Sequence, residues 1–166
     1  VKYPSAEQQM AISRSDLQQK TEYELSLSAV LQDLKALDED AGSNNAISSN
    51  MGDQLSLNAK VRASSQPSIS EDFVSGKRAI VGGRAFEKTD ECLVSEQFAQ
   101  LNSLSVGDSI TVISRDAGSP KPHTFTICGI YRDGIEGSAL FRHPLFNRGN
   151  EIITSMESML GMGLYA

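Results

Sequence analysis

The sequence predicts an α+β fold, strand-rich in the middle of the chain, and three observations predict it. Between Phe73 and Tyr131, short apolar runs alternate with turn residues, as strands of a small sheet do. Near the N-terminus, Leu27, Val30, Leu31, Leu34 and Leu37 recur at helical spacing. The 166 residues are 39% hydrophobic and 22% charged, enough core for one ordinary domain or two small subdomains that share it. The expected division is a β-rich subdomain at 61–144 with one short helix near 96–102. An α/β subdomain is expected from 1–60 and 145–166, with a helix near 22–40 and a short helix near 154–161.

Taken in order, residues 1–20 are polar and weakly patterned. The stretch TEYELSLSAVLQDLKALDED carries the apolar stripe that predicts the long helix; Thr21 and Glu24 have the form of a capping box, and Gly42 marks the end. Asp38, Glu39 and Asp40 lie at the wrong end of that helix's dipole and read as a solvated face. Residues 41–54, rich in Ser, Asn and Gly, read as a loop. LSLNAKV at 55–61 alternates as a half-buried strand does, and SSQPSISED is a second loop. FVSG and KRAIVGGRAF then read as strands, with Gly82 and Gly83 placed for a bulge or bend.

CLV is a short strand, and Ser95 suits the N-cap of a helix that turns Phe98, Ala99 and Leu101 inward. Leu104 and Val106 lead into a Gly107-Asp108 turn. SITVI, the loop RDAGSPKP and HTFTICGIY together predict a hairpin. Residues 132–150 are irregular, and their Leu140, Phe141, Leu145 and Phe146 either pin the segment to the core or form a contact patch. In the last stretch Thr154 and Glu157 suggest a second capping box, with Met156, Met159 and Leu160 on one side of a short helix. No internal repeat is visible.

Candidates for chemistry are few. The net charge of −6 comes without any basic run, which argues against nucleic acid and anionic bilayers. No apolar stretch approaches the ~18 residues of a membrane span. His123 and His143 lack neighbours at metal-ligand spacing, and no serine lies in a nucleophile motif. The glycines of VGGR and GIEGS fit turns better than nucleotide loops. The expectation is therefore a non-enzyme with no catalytic residue, no cofactor and no metal. Cys92 and Cys128 sit in apolar runs; they read either as small buried hydrophobes or, in an oxidising compartment, as a cross-strand disulfide.

The order of elements carries a resemblance. DFVSGKRAIVGGRAFEKTDECLVSEQFAQLNSLSVGDSITV followed by HTFTICGIYRD resembles the extracytoplasmic domain, the MacB-like periplasmic core, of MacB/FtsX-type ABC transporter permeases. The matching residues are Gly83 to Phe86, Leu93 to Ala99, Val106 to Ile110 and Phe125 to Ile130, and Asn102-Ser103-Leu104 fits a Gram-positive version. The match spans residues 72–133. The resemblance implies a non-catalytic loop domain between two membrane helices, held at the cell membrane on the extracytoplasmic face. Its partners would be the transmembrane part of the same permease and, indirectly, a cytoplasmic ATPase subunit. A homodimer mate or an extracellular partner protein would be further contacts. Its work would be to touch substrate or partner and to transmit ATP-driven motion, ATP itself never touching this chain. A start at Val1, with neither Met nor signal core, fits such a piece. The end departs from the pattern, since GMGLYA is short for the further strand expected there.

The strand–helix–VGD–strand pattern also occurs in double-psi β-barrels and similar small barrels, which as soluble modules bind peptides or nucleotides. A hydrolase whose Ser, His and Asp meet across distance is a third class.

Overall fold

The run ELSLSAVL, residues Glu24–Leu31, is a strand (β1) where a helix was expected. Leu25, Leu27, Ala29 and Leu31 alternate along one face, so the same residues satisfy a period of two as well as one of 3.6. The strand wins because it gains two neighbours: β1 pairs antiparallel with β2 (Ala59–Ser64) from Glu24↔Ser64 to Ala29↔Ala59, and with β5 (Ser109–Ser114) from Ala29↔Ser114 to Leu31↔Val112. Beyond Leu31, Asp33 and Asp38 hold positive φ of 57° and 61°, which a continuous helix does not allow. Only Glu39–Gly42 is helical there (α1).

The structure is a computed structural model that describes residues 24–42, 57–65, 70–114, 121–135 and 143–162. Thr21, most of the 41–54 loop, the hairpin tip at 115–120, Leu140 and Phe141 lie outside those residues. The remaining elements are α2 (Glu71–Val74), β3 (Arg78–Gly83), β4 (Glu91–Ser95), α3 (Glu96–Leu101), β5 (Ser109–Ser114), β6 (Lys121–Asp133), β7 (Glu151–Ser155) and α4 (Met156–Gly161). Two 3₁₀ turns, Pro144–Phe146 and Arg148–Asn150, precede β7. The fold is thus mixed α+β and strand-rich. Phe73 and Val74, expected in a strand, belong to α2 behind Ser70. The strand expected at 55–61 lies later, at Ala59–Ser64, with Asn58 bonded to β1 just before it.

The strands run in the order β3-β6-β4-β7-β2-β1-β5, and β5 also pairs with β6. That second pairing closes six of them into a barrel and leaves β3 attached outside, on β6 alone. Strands from both of the expected ranges, 61–144 and 1–60 with 145–166, build this one wall. The β5–β6 hairpin runs in register from Ser109↔Thr126 to Ser114↔Lys121. Two seams are short: β4 meets β7 at Cys92↔Thr154 and Leu93↔Ile153, and β1 meets β5 at three positions. They divide the wall into a half made of β4, β5 and β6 and a half made of β1, β2 and β7.

The halves repeat one another. β4 lies parallel to β6 and runs into α3; β7 lies parallel to β2 and runs into α4. Aligned, ECLVSEQFAQL and EIITSMESMLG keep only the leading Glu and the capping Ser. That thin identity is why the sequence shows no repeat. Ser95 accepts from the Phe98 amide, and Ser155 accepts from the Ser158 amide. The second cap is therefore Ser155, one residue beyond the expected Thr154. Because β4 and β7 are antiparallel, α3 and α4 sit at opposite ends of the barrel and stopper it with Phe98 and Ala99 at one end, Met156 and Met159 at the other. Leu101, expected to face inward, is 45% exposed.

A six-stranded bore is narrow, and small residues fill it: Ala29, Ala59, Val61, Val94 and Val112, with Ile110, Phe125, Ile127 and Ile152. The glycines expected to allow a bend do more than that. The β3–β6 register shifts between Ile80 and Gly82, and Gly83 takes φ 67°. A Cβ at Gly83 would lie 2.2 Å from the Cys128 carbonyl oxygen, and one at Gly129 would lie 2.3 Å from that of Arg84. Gly129→Ala is therefore expected to cost roughly 3 kcal/mol of stability, the range of an unrelieved backbone clash. Gly76→Ala, at φ 76° with nothing within 4 Å, should cost about 1 kcal/mol, the left-handed penalty alone. Urea unfolding of both variants checks the contrast, and equal costs would contradict the close approach.

Candidate functional site

The most organised polar site is a set of arginines and carboxylates that crosses both halves of the wall. Arg78 of β3, 2% exposed, donates Nε to Asp133 Oδ2 of β6 at 2.9 Å and Nη2 to Glu151 Oε2 of β7 at 2.6 Å. Arg62 of β2 reaches the same Glu151 oxygen at 3.0 Å and also pairs with Glu24 of β1. Arg148 donates to Asp133 at 2.9 Å and to Asp72 of α2 at 2.7 Å. The Arg78 guanidinium carbon stands 5.0 Å from the centre of the Tyr131 ring. The Tyr131 hydroxyl donates to the Glu151 carbonyl at 2.7 Å.

Burial opposes ionisation of Asp72 and Asp133, and their hydrogen bonds outweigh it: Arg148 holds Asp72, while the Ile135 amide, Arg148 and Arg78 hold Asp133. Both stay below the usual carboxylate range. Burial likewise opposes the charge on Arg78, but Tyr131, Glu151 and Asp133 overcome it. Acids held ionised against guanidinium groups serve to brace strands; they are poorly suited to handing over protons.

A second cluster sits at the position that repeats Glu151. Glu91, at the head of β4, accepts both Arg84 guanidinium nitrogens, at 2.6 and 2.9 Å, and the amides of Glu87 and Lys88 at 2.9 and 3.0 Å. The loop from Arg84 to Lys88 is thereby wound around one carboxylate. Within Gly83 to Phe86, Gly83 lets the chain cross β6, and Arg84 ties the loop to β4.

The sequence-expected residues are dispersed. Leu145 is half-buried and Phe146 is 66% exposed, its ring 5.7 Å from that of His143. His123 Nε2 lies 2.8 Å from Asp90 Oδ1, and its ring stands 4.8 Å from Phe125. Among the described residues, no group of three or more His, Cys, Asp or Glu is arranged to hold a metal. No described helix is long and apolar enough to cross a membrane. Cys92 and Cys128 occupy adjacent strands but are free thiols, and Cys128 Sγ donates to the Cys92 carbonyl at 3.3 Å. The sequence reading missed Arg62, Arg78, Asp133, Arg148 and Glu151. Each is a charge in a strand or turn of a kind that is usually solvated, and nothing local signals that they converge. No protein-family profile matches the chain, and no curated protein matches it significantly.

Arg84, opposed by partial burial and helped by the two amides, pulls the Glu91 pKa down from 4.5 to about 2. A depressed carboxylate adds stability that is complete above its unfolded pKa and fades as pH falls toward the folded one. Glu91→Gln should thus be less stable than the parent at pH 7 by an amount that shrinks between pH 4.5 and about 2. A pH-independent difference in urea midpoints would refute the pairing. Burial pushes the Cys128 thiol up to about 11 and also holds Cys92 well above its usual value. At pH 8 the native thiols should react with a disulfide reagent about 100-fold more slowly than in denaturant, where two equivalents should appear.

Proposed function

We propose that this chain is a non-catalytic extracytoplasmic domain of a MacB/FtsX-type ABC transporter permease, a module for contact and for carrying force. The observation that carries this reading is where β1 begins and where β7 ends. β1 begins at Glu24, which pairs with Ser64 of β2, and Ser64 pairs with Ser155, the last residue of β7. The start of β1 and the end of β7 therefore share one row of the wall, two strand spacings or about 10 Å apart. A wall whose first and last described strands begin and end at one rim suits a domain inserted between two consecutive membrane helices.

Force applied at Glu24 and Ser155 would enter the half-barrel of β1, β2 and β7. It would pass to the other half through the two short seams and through Arg78, which joins β3 and β6 to β7. The finer division, a β-rich part at 61–144 and an α/β part from 1–60 and 145–166, belongs to this proposal; the seams run near it, except that Val61–Ser64 of β2 lie in the half of β1 and β7. Phe146, in the first 3₁₀ turn, is the more exposed of the two described patch residues and would meet the membrane part, a dimer mate or an outside partner. The motifs behind the resemblance also fall on working geometry: Gly83-Arg84 on the crossing, Ser95 on a cap, and Asp108 accepting from the Ser105 amide in the turn.

A small-barrel binding module is the second reading, and the closed six-stranded barrel favours it. Its bore is filled by side chains, so a ligand would have to bind outside it. Reading the gene outward from Val1 and Ala166 separates the two. Apolar segments of ~20 residues on both sides are expected. A frame that stops at both ends would remove the transporter reading and leave the soluble module.

A further inference from the structure

We propose that the outer edge of β3, with the groove between β3 and α3, binds an extended peptide segment of a partner protein and takes it up as one more strand. Among the described residues β3 is the only strand outside the closed barrel, hydrogen-bonded to β6 on one edge and to no strand on the other. Such an edge offers a row of backbone donors and acceptors, and the matching occupant is another extended backbone. Protein edges are commonly guarded by Lys or Pro, whereas Ala79-Ile80-Val81-Gly82-Gly83 carries no charge and no proline. Ile80 is 36% and Val81 44% exposed.

Beside this edge lies an open groove of about 430 Å³, walled by Val81 and Gly82 on one side and by Ala99 and Leu104 on the other, with Ile130 also lining it. Val81, the extra residue of the β3 bulge, stands out of register with β6 and contributes to the groove. Alternate side chains of an added strand would project on the groove side, so the segment should carry small apolar residues at every second position. Glu96, paired with Arg132, forms part of the rim, and the net charge of −6 favours a segment with basic flanks.

Area argues against a second copy as the occupant. A six-residue edge about 20 Å long and 10 Å thick would bury on the order of 400 Å² in both copies together, short of the ~1,000 Å² of a stable specific interface. Two copies would also bring like net charges together. A peptide meets neither objection, since it pairs with the edge and fills the groove as well. The inference goes beyond the transporter reading and stands without it, because it concerns a surface of this chain whatever flanks it.

The test is a titration of the isotope-labelled chain with a ten-residue synthetic peptide of alternating valine and threonine, a lysine at each end, followed by amide NMR. Saturable shifts confined to residues 79–83, 96–105 and 130 are expected. Val81→Lys, at an exposed position, should weaken binding about tenfold while leaving the rest of the spectrum in place. The same peptide with alternate amides N-methylated cannot extend a sheet and should not bind. No saturable shift, or equal binding of the N-methylated peptide, would overturn the proposal. Shifts at the same amides that grow with protein concentration alone would assign the edge to a second copy and overturn it too.

Discussion

The barrel depends on a buried positive charge that no single strand can satisfy. Arg78 is almost wholly removed from water, and an unpaired guanidinium there would cost several kcal/mol. It becomes tolerable only where Asp133 of β6 and Glu151 of β7 arrive together, with Tyr131 beneath. Two strands that never pair directly are thereby held at one spacing. Arg62 extends the same logic to β1 and β2 by sharing Glu151 and engaging Glu24. Exchanging such a cluster for hydrophobic residues can be neutral for stability, whereas removing one member is not. Its contribution here is positional: it sets how β3 and α2 sit against the barrel, and β3 bears the free edge.

The near-twofold repeat explains why two distant carboxylates are treated alike. Glu91 and Glu151 each open a strand that runs antiparallel to the other and ends in a Ser-capped helix. Each accepts an arginine from outside the strand and offers its carbonyl to a hydroxyl of the opposite half, Thr154 in one case and Tyr131 in the other. The seam between β4 and β7 has few ladder bonds, and these side-chain bonds supplement it. Ser95 adds another by donating to the Gly149 carbonyl at 2.6 Å.

What could be read in the sequence was local. The Ser95 cap, the Gly107-Asp108 turn, the β5–β6 hairpin and the bulge near Gly82 each follow from residues a few positions apart, and each appears in the structure. The N-terminal segment misled because ELSLSAVL fits both periods, and only the distant partners β2 and β5 decide between them. Closure of the barrel had no local signal at all. The same holds for the arginine cluster: Arg62 and Glu151 are 89 residues apart in sequence, and a lone charge in a strand reads as a solvated face until its partner is known.

The parallel pairing of β2 with β7 has a consequence for how the chain acquires its shape. β2 is made well before its second neighbour β7, the last of the described strands. Until Ser155 has left the ribosome the ring stays open, with β2 and β4 each presenting a bare apolar edge. Non-local pairings of this kind slow folding, since loop entropy must be lost before the contacts that compensate it can form. The nascent chain therefore passes through a stage in which it is most prone to pair with the wrong strand, and it leaves that stage only when α4 drops into the mouth of the barrel.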